Sequence, residues 1–228
     1  MIREPAYAGQ FYPGKPDELK AMIASFVNLN AEKEEVIGLV APHAGYIYSG
    51  VVVGAVLSRV KFKPTFIILG PNHTGLGVPA SIMTAGTWQT PLGDVEIDSK
   101  LAKKLLSISR YLKEDSEAHA KEHSIEVQLP FLQYFQPDVK FVPIILGVSD
   151  LEVFKGIGHE IARALLEMKK EAIIFASSDM NHYEPQPAGQ KKDRQAIEAM
   201  VEMDADALMK RVVEQDISMC GYGPASVM

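Results

Sequence analysis

Four near-continuous apolar runs of strand length constrain the fold of this 228-residue chain more than any other feature. They are residues 36–41 (VIGLVA), 65–70 (TFIILG), 140–148 (KFVPIILGV) and 171–177 (EAIIFAS). Runs without polar alternation are typical of strands that are covered on both faces. Helix-like segments separate the runs. This order predicts an α/β domain with a mostly parallel central sheet flanked by helices.

The segments between the strands carry helical spacing and residues suited to begin a helix. The predicted helices are 50–59, 99–107, 124–135 and 151–168, with Ser49, Asp98 or Ser99, Ser124 and Asp150 as N-caps. Pro130 should kink or shorten the third of them. Residues 78–97 alternate in short pieces around a turn at 91–94, which predicts an inserted hairpin. Residues 190–216 predict one or two further helices with polar faces.

Composition places residues 1–228 in one large domain, because 47% hydrophobic residues and no internal change of composition favour a single core. The formal charge is −6 and the basic residues are scattered, which argues against a nucleic-acid partner. The N-terminus lacks the apolar core of a secretory signal, and no apolar run approaches the ~20 residues of a membrane span. A cytoplasmic location is the expectation. With Cys220 as the one cysteine, the chain has no internal disulfide.

Polar residues follow three of the apolar runs at the point where each run ends. His43 follows the first run, His73 the second, and Asp179 and His182 the fourth. Ligands of open α/β sheets bind in the crevice beyond the carboxyl ends of the strands, so we expect these side chains to face one crevice. His123, which precedes the third helical segment, is a further candidate for the same place.

The other histidines and the cysteine have simpler interpretations. His119 lies in a polar stretch and His159 in the middle of a predicted helix, and both are interpreted as ordinary hydrogen-bonding residues. Cys220 lies in SMCGYGPAS, ahead of Pro224, which is a suitable first residue of a helix. A lone cysteine is usually a small buried hydrophobe. Close to two histidines, it would instead supply a third metal ligand as a thiolate.

Seven motifs in order resemble those of the Memo family over nearly the whole chain. They are REPAYAGQFYP (3–13), APHAGYIYSG (41–50), GPNHTG (70–75), TWQTPLGDVEID (87–98), EHSIEVQLPFL (122–132), SSDMNHY (177–183) and CGYGP (220–224). Memo proteins are similar to the class III extradiol dioxygenases, and the resemblance implies their α/β fold and the position of their metal centre. Family members usually continue beyond the last motif, so it also implies a C-terminal segment after Met228. The four residues that follow Pro224 are too few for a stable helix by themselves.

The resemblance implies that His43, His73 and Cys220 are metal ligands. It places His123 and His182 where the dioxygenases keep acid–base histidines, with Asp179 beside His182. A thiolate stands where the dioxygenases have a glutamate, and a soft ligand favours copper or zinc over the iron of two-histidine, one-carboxylate sites. Iron and copper are therefore ranked together, ahead of zinc. For some eukaryotic members the resemblance also implies recognition of phosphotyrosine-bearing peptides.

Four functions are compatible with these residues. The leading one is a mononuclear iron or copper site in the crevice, in a metal-dependent oxidoreductase of unassigned substrate. The second is an extradiol-type dioxygenase acting on catechol-like substrates, with His123 and His182 moving protons. The third is a thiol hydrolase in which His182 activates Cys220 and Asp179 orients His182.

The fourth function is non-enzymatic. It is a module that binds a small molecule or a (phospho)peptide in a crevice rimmed by four aromatic residues, Tyr46, Tyr48, Trp88 and Tyr183.

Overall fold

The computed structural model describes residues 1–148 and 150–228. Its strands are β1 (Ile2–Arg3), β2 (Gly38–Ala41), β3 (Thr65–Pro71), β4 (Ala80–Ile82), β5 (Thr87–Thr90), β6 (Gly93–Glu96), β7 (Lys113–Glu114), β8 (Lys140–Leu146) and β9 (Ile173–Ser177). Its helices are α1 (Pro16–Phe26), α2 (Tyr46–Ser58), α3 (Ser99–Ile108), α4 (Glu117–Ala120), α5 (His123–Glu126), α6 (Leu129–Phe135), α7 (Leu151–Met168), α8 (Gln186–Val201), α9 (Ala205–Glu214) and α10 (Tyr222–Val227).

The main sheet has six strands in the order β2-β9-β3-β8-β4-β7. The first four are mutually parallel, whereas β4 runs antiparallel to β8 and pairs in parallel with β7. The prediction of an α/β domain with a mostly parallel sheet is therefore confirmed. All four apolar runs form strands of this parallel group, because their unbroken apolar character suits burial on both faces.

The centre of the sheet is also the centre of the core. Every residue of β3 is buried, and Phe66, Ile67, Ile68 and Leu69 have no exposed surface. Burial of each such side chain contributes roughly 1.5–3 kcal/mol. The strand that precedes His73 is thus held rigidly at the middle of the sheet.

The predicted hairpin over 78–97 is correct only in its second half. Strands β5 and β6 pair antiparallel around Pro91 and Leu92, and β1 joins them in a separate three-stranded sheet. Residues 80–82 instead form β4 at the main sheet. All three residues of β4 are buried, which favours a place at the main sheet beside β8 over a place in an exposed hairpin.

Two predicted helix starts are confirmed. Asp98 accepts a hydrogen bond from the Leu101 amide at 3.1 Å, and Asp150 caps α7, whose bounds match the prediction. Ser49 is not a cap, because α2 already begins at Tyr46. The segment 124–135 divides into α5 and α6, with Pro130 in the first turn of α6, as the proline requires.

The last residues form a helix, although the sequence predicted that the segment after Pro224 is too short for one. Residues 222–227 form α10, so Pro224 lies inside the first turn rather than at the first position. Pro224, Ala225 and Val227 are buried, and α10 packs against α7 and α9. Tertiary burial stabilises a helix that would not persist in isolation.

A buried ion pair fixes the N-terminal segment against α5. The Nη1 atom of Arg3 lies 2.7 Å from Oε2 of Glu126, and neither side chain has more than a few per cent of its surface exposed. Glu126 also accepts hydrogen bonds from the Tyr7 amide at 2.8 Å and the Tyr12 hydroxyl at 2.7 Å. These contacts hold residues 3–12 beside His123, the first residue of α5.

Helices α1 and α2 approach each other closely at Gly54. A Cβ built on Gly54 would lie 2.3 Å from the carbonyl oxygen of Phe26, which is a backbone atom and cannot turn away. The approach requires the absence of a side chain at this position. In the described residues, no helix combines the length and the apolar character needed to cross a membrane.

Candidate metal centre

Three site residues lie at one edge of the main sheet, each at the same distance in sequence from the end of a strand. His43, His73 and Asp179 each come two residues after a strand ends, namely β2, β3 and β9. These strands are parallel neighbours, so their carboxyl ends share an edge. Cys220 reaches the same place from the far end of the chain, two residues before α10 begins.

His43, His73 and Cys220 converge. Each offers one ligand atom, and the three atoms lie within 4.8 Å of one another. Nε2 of His43 is 3.2 Å from Sγ of Cys220, and the two imidazole rings have centroids 5.1 Å apart. An ion with bonds of about 2.0–2.3 Å and tetrahedral geometry separates its ligand atoms by roughly 3.3–3.8 Å. The spacing and the two-nitrogen, one-sulfur donor set therefore fit a single transition-metal ion.

Ser177 determines which nitrogen of His43 faces the sulfur. Its hydroxyl donates to the Ser124 carbonyl at 2.6 Å and accepts from the Gln128 amide at 2.9 Å. The contact with His43 Nδ1 at 3.0 Å must then be donated by the ring. Nδ1 thus carries the proton, and Nε2 presents its lone pair to Cys220. Burial keeps this ring neutral, because it lowers the pKa of His43 to about 3.

Glu122 orients His73 from below the site. Its fully buried carboxylate accepts from His73 Nδ1 at 2.8 Å, from the His73 amide at 2.6 Å and from the Ser124 amide at 2.9 Å. Burial alone would raise the pKa of Glu122, but the bonds from His73 hold it at about 2. Since Nδ1 is engaged, Nε2 is the nitrogen available to a metal, in an arrangement typical of metal-binding histidines.

His73 carries a second proton when no metal is bound. Burial disfavours that charge, but hydrogen bonds to Cys220 and Glu122 outweigh it and raise the pKa of His73 to about 10. A metal ion would take the place of that second proton, so binding would release it.

His123 lies beside the two ligand histidines without belonging to their donor set. Its ring stacks on His73 with centroids 4.5 Å apart and meets His43 edge-on at 5.3 Å. Phe11 packs against the ring at 4.7 Å. Burial lowers the pKa of His123, so the ring is neutral and can accept a proton. Its Nδ1 is 3.4 Å from a Glu122 oxygen.

Asp179 and His182 lie near Cys220 and are held by different partners. Oδ1 of Asp179 accepts from the backbone amides of His43 at 2.8 Å and Ala44 at 3.2 Å. His182 instead donates from Nδ1 to the Ser218 carbonyl at 2.7 Å. The carboxylate therefore does not orient this imidazole. That removes the Asp179–His182 pairing on which the thiol hydrolase interpretation depended.

The predicted aromatic rim is wrong in two of its four members. Trp88 and Tyr46 are buried, and the Tyr46 hydroxyl donates to the Val127 carbonyl at 2.7 Å, so both belong to the core. Tyr48 and Tyr183 are exposed. The guanidinium of buried Arg3 lies over the Trp88 ring, 4.0 Å from its centroid.

The two remaining histidines are outside the site. His159 is on α7 and its Nδ1 donates to the Lys155 carbonyl at 2.7 Å, as an ordinary helical histidine does. His119 is fully buried, with Nε2 3.1 Å from the Ser81 hydroxyl. Burial lowers the pKa of His119 to about 3.

Sequence reasoning missed the residues that orient the ligands. Glu122 contacts His73, Ser177 contacts His43, and Gln128 holds Ser177 in place. In each of these pairs the two residues are at least 49 positions apart in the sequence. One local signal existed for Glu122, which precedes His123 directly in the EHS motif. Ser177 ends an apolar strand and carried no signal of its own.

Comparison with known proteins agrees with the motif resemblance. A family model described as Memo-like protein matches residues 3–228. A MEMO1 family protein of Methanococcoides burtonii is 44% identical over 229 residues, which cover 100% of this chain and 86% of that protein. One of Archaeoglobus fulgidus is 42% identical over 226 residues, covering 99% and 85% of the two chains. One of Thermotoga neapolitana is 42% identical over 243 residues, covering 100% and 87%. The chain belongs to the Memo family.

Proposed function

We propose that this Memo-family protein binds one redox-active metal ion, iron or copper, through His43, His73 and Cys220, and that it is a metal-dependent oxidoreductase. One observation carries the proposal. Nitrogen atoms from the ends of two parallel strands and a sulfur atom from near the last helix meet within 4.8 Å. Three donors leave coordination positions open, as catalytic metal sites require.

The orientation of the rings supports metal binding rather than ordinary packing. Nδ1 of His43 donates to Ser177 and Nδ1 of His73 donates to Glu122, so both Nε2 atoms are directed at the sulfur. Such support from outside the donor set fixes the ring geometry before an ion arrives. Two histidines with only a packing role would not need their second nitrogens to face one thiol.

The surrounding residues supply the proton chemistry. A bound iron or copper ion would supply electron transfer and Lewis acidity to a substrate at its open positions. Neutral His123 can accept a proton from such a substrate. Phe11 packs against the His123 ring, with the two ring centroids 4.7 Å apart, and helps to hold it in place. Glu122 keeps its negative charge and offsets the positive charge that a cation brings to His73.

Metal analysis of purified variants tests the proposal. The double variant His43→Ala/His73→Ala should retain less than a tenth of the iron or copper that the wild type binds after loading and desalting. His159→Ala is the matched control, since it removes an exposed histidine of α7 and should not change the metal content. Equal metal content in the double variant and the wild type would refute the site.

An extradiol-type dioxygenase acting on catechol-like substrates is a second candidate, favoured by one observation. Two imidazoles that are outside the donor set, those of His123 and His182, lie beside it, as an acid and a base for ring opening would. A screen of catechols with the Fe(II)-loaded protein under air, followed by ultraviolet absorbance, tests it. Absence of turnover with every diol at full iron occupancy would eliminate this activity.

A further inference from the structure

The sulfur of Cys220 belongs to two separate groups of ligand-capable side chains. One is the group with His43 and His73 described above. The other joins Cys220 to Asp179 and His182, whose ligand atoms also lie within 4.8 Å of one another and of the sulfur. Asp179 and His182 have no part in the proposed mononuclear site.

The donors of the second group are oriented in the same manner as those of the first. Nδ1 of His182 donates to the Ser218 carbonyl at 2.7 Å, and the His182 amide donates to the Ser218 hydroxyl at 2.7 Å. Both bonds fix the ring and leave the lone pair of Nε2 free. Oδ1 of Asp179 is occupied by two backbone amides, and in the described part of the chain Oδ2 accepts no hydrogen bond.

The imidazoles of the two groups approach the sulfur separately, whereas Oδ2 of Asp179 lies 3.9 Å from Nε2 of His43. The rings of His43, His73 and His123 lie within 5.3 Å of one another, measured between centroids. The ring of His182 is apart from them. Among the rings in the described ranges, it pairs with Tyr183 at 5.9 Å. The fourth imidazole therefore approaches Cys220 separately from the other three.

We propose that Asp179, His182 and Cys220 form a second cation site, and that the Cys220 thiolate bridges the two ions. One nitrogen, one carboxylate oxygen and one thiolate suit a borderline-soft divalent cation such as Zn²⁺. A single deprotonation of the thiol serves both ions, because a thiolate sulfur has more than one lone pair. All three residues are partly exposed, so solvent reaches the second site. The inference rests on the proposed function for the role of the shared sulfur.

Zinc stoichiometry tests this site, because Zn²⁺ is redox-inert and does not oxidise the thiol. The full chain is titrated with Zn²⁺ without oxygen against a chromophoric chelator, and zinc is counted after desalting. The wild type should bind two ions per chain. Asp179→Asn/His182→Ala should bind one, and so should His43→Ala/His73→Ala, whereas Cys220→Ser should bind less than one. Asp179→Asn keeps the oxygen that accepts the two backbone amides, and thermal unfolding checks that each variant is folded.

Each outcome separates this inference from the proposed function. One zinc per wild-type chain that is lost in His43→Ala/His73→Ala but unchanged in the other double variant would overturn the second site alone. One zinc that both double variants weaken would also overturn it, since all five residues would then surround a single ion. Two ions that persist in Asp138→Asn/His159→Ala, which removes an exposed aspartate and an exposed histidine elsewhere, would exclude general surface binding. No zinc in the wild type would overturn the second site, whereas the iron or copper site is tested by the metal analysis described above.

Discussion

Replacing Glu122 with glutamine should weaken both the fold and metal binding by amounts that the structure allows us to estimate. Three N–H donors converge on the carboxylate, two of them from His73 and one from Ser124. A glutamine offers one carbonyl oxygen and one NH₂ group in their place. In either orientation, at least one buried N–H then faces another donor.

The size of both effects follows from that mismatch. An unsatisfied buried donor costs about 1–3 kcal/mol, so Glu122→Gln should lower the free energy of unfolding by that amount. Loss of a carboxylate that orients a ligand histidine typically weakens metal binding by about 10–100-fold. In free energy this is about 1.4–2.7 kcal/mol.

Two assays measure the effects separately. Urea denaturation of the metal-free protein gives the change in stability, and competition with a chelator for Cu(I) gives the change in affinity. Glu117→Gln is the matched control, because that side chain lies on the exposed face of α4. A copper affinity of Glu122→Gln within threefold of the wild type would refute the role of Glu122 in orienting His73.

Three other perturbations test the fold. Burial lowers the pKa of His119 to about 3, so the stability that the neutral ring contributes is present above about pH 6.5 and is lost as the pH falls. Between pH ~7.5 and ~4 the wild type should lose about 3 kcal/mol more of its free energy of unfolding than His119→Phe. Equal pH slopes in urea denaturation would contradict this. Gly54→Ala should lower the free energy of unfolding by about 1–3 kcal/mol, because the added methyl group overpacks the contact with Phe26. Gly189→Ala is the control and should be neutral or slightly stabilising, because its added methyl group meets no atom nearer than 3.8 Å. Equal melting temperatures of the two variants would contradict this prediction. Arg3→Met should lower the free energy of unfolding in urea denaturation by about 3–5 kcal/mol, because it leaves the Glu126 carboxylate buried without its cation. A loss below about 1 kcal/mol would show that the ion pair is unimportant for stability.

The parallel sheet could be predicted because its signal is local. Unbroken apolar runs mark doubly covered strands, and the polar residues directly after them mark the edge where ligands bind. The placement of His43 and His73 shortly after the ends of strands could therefore be predicted before the fold was known. Family membership was readable from the motifs for the same reason, since each motif is a continuous stretch.

The remaining features depend on contacts between distant residues. Glu122 meets His73 across 49 positions, and its place beside His123 in the EHS motif does not indicate that partner. Helix α10 forms because α7 and α9 bury it, although its own length predicted no helix. The binding-module hypothesis placed Trp88 at the rim of the crevice, but Trp88 packs in the core against Arg3, which is distant in sequence.

The most direct test of the metal centre is X-ray absorption spectroscopy or anomalous scattering on crystals at the copper and iron edges. We expect one strongly bound ion about 2.0–2.3 Å from Nε2 of His43, Nε2 of His73 and Sγ of Cys220. An ion located elsewhere, or a coordination shell of oxygen atoms without sulfur, would contradict the central proposal.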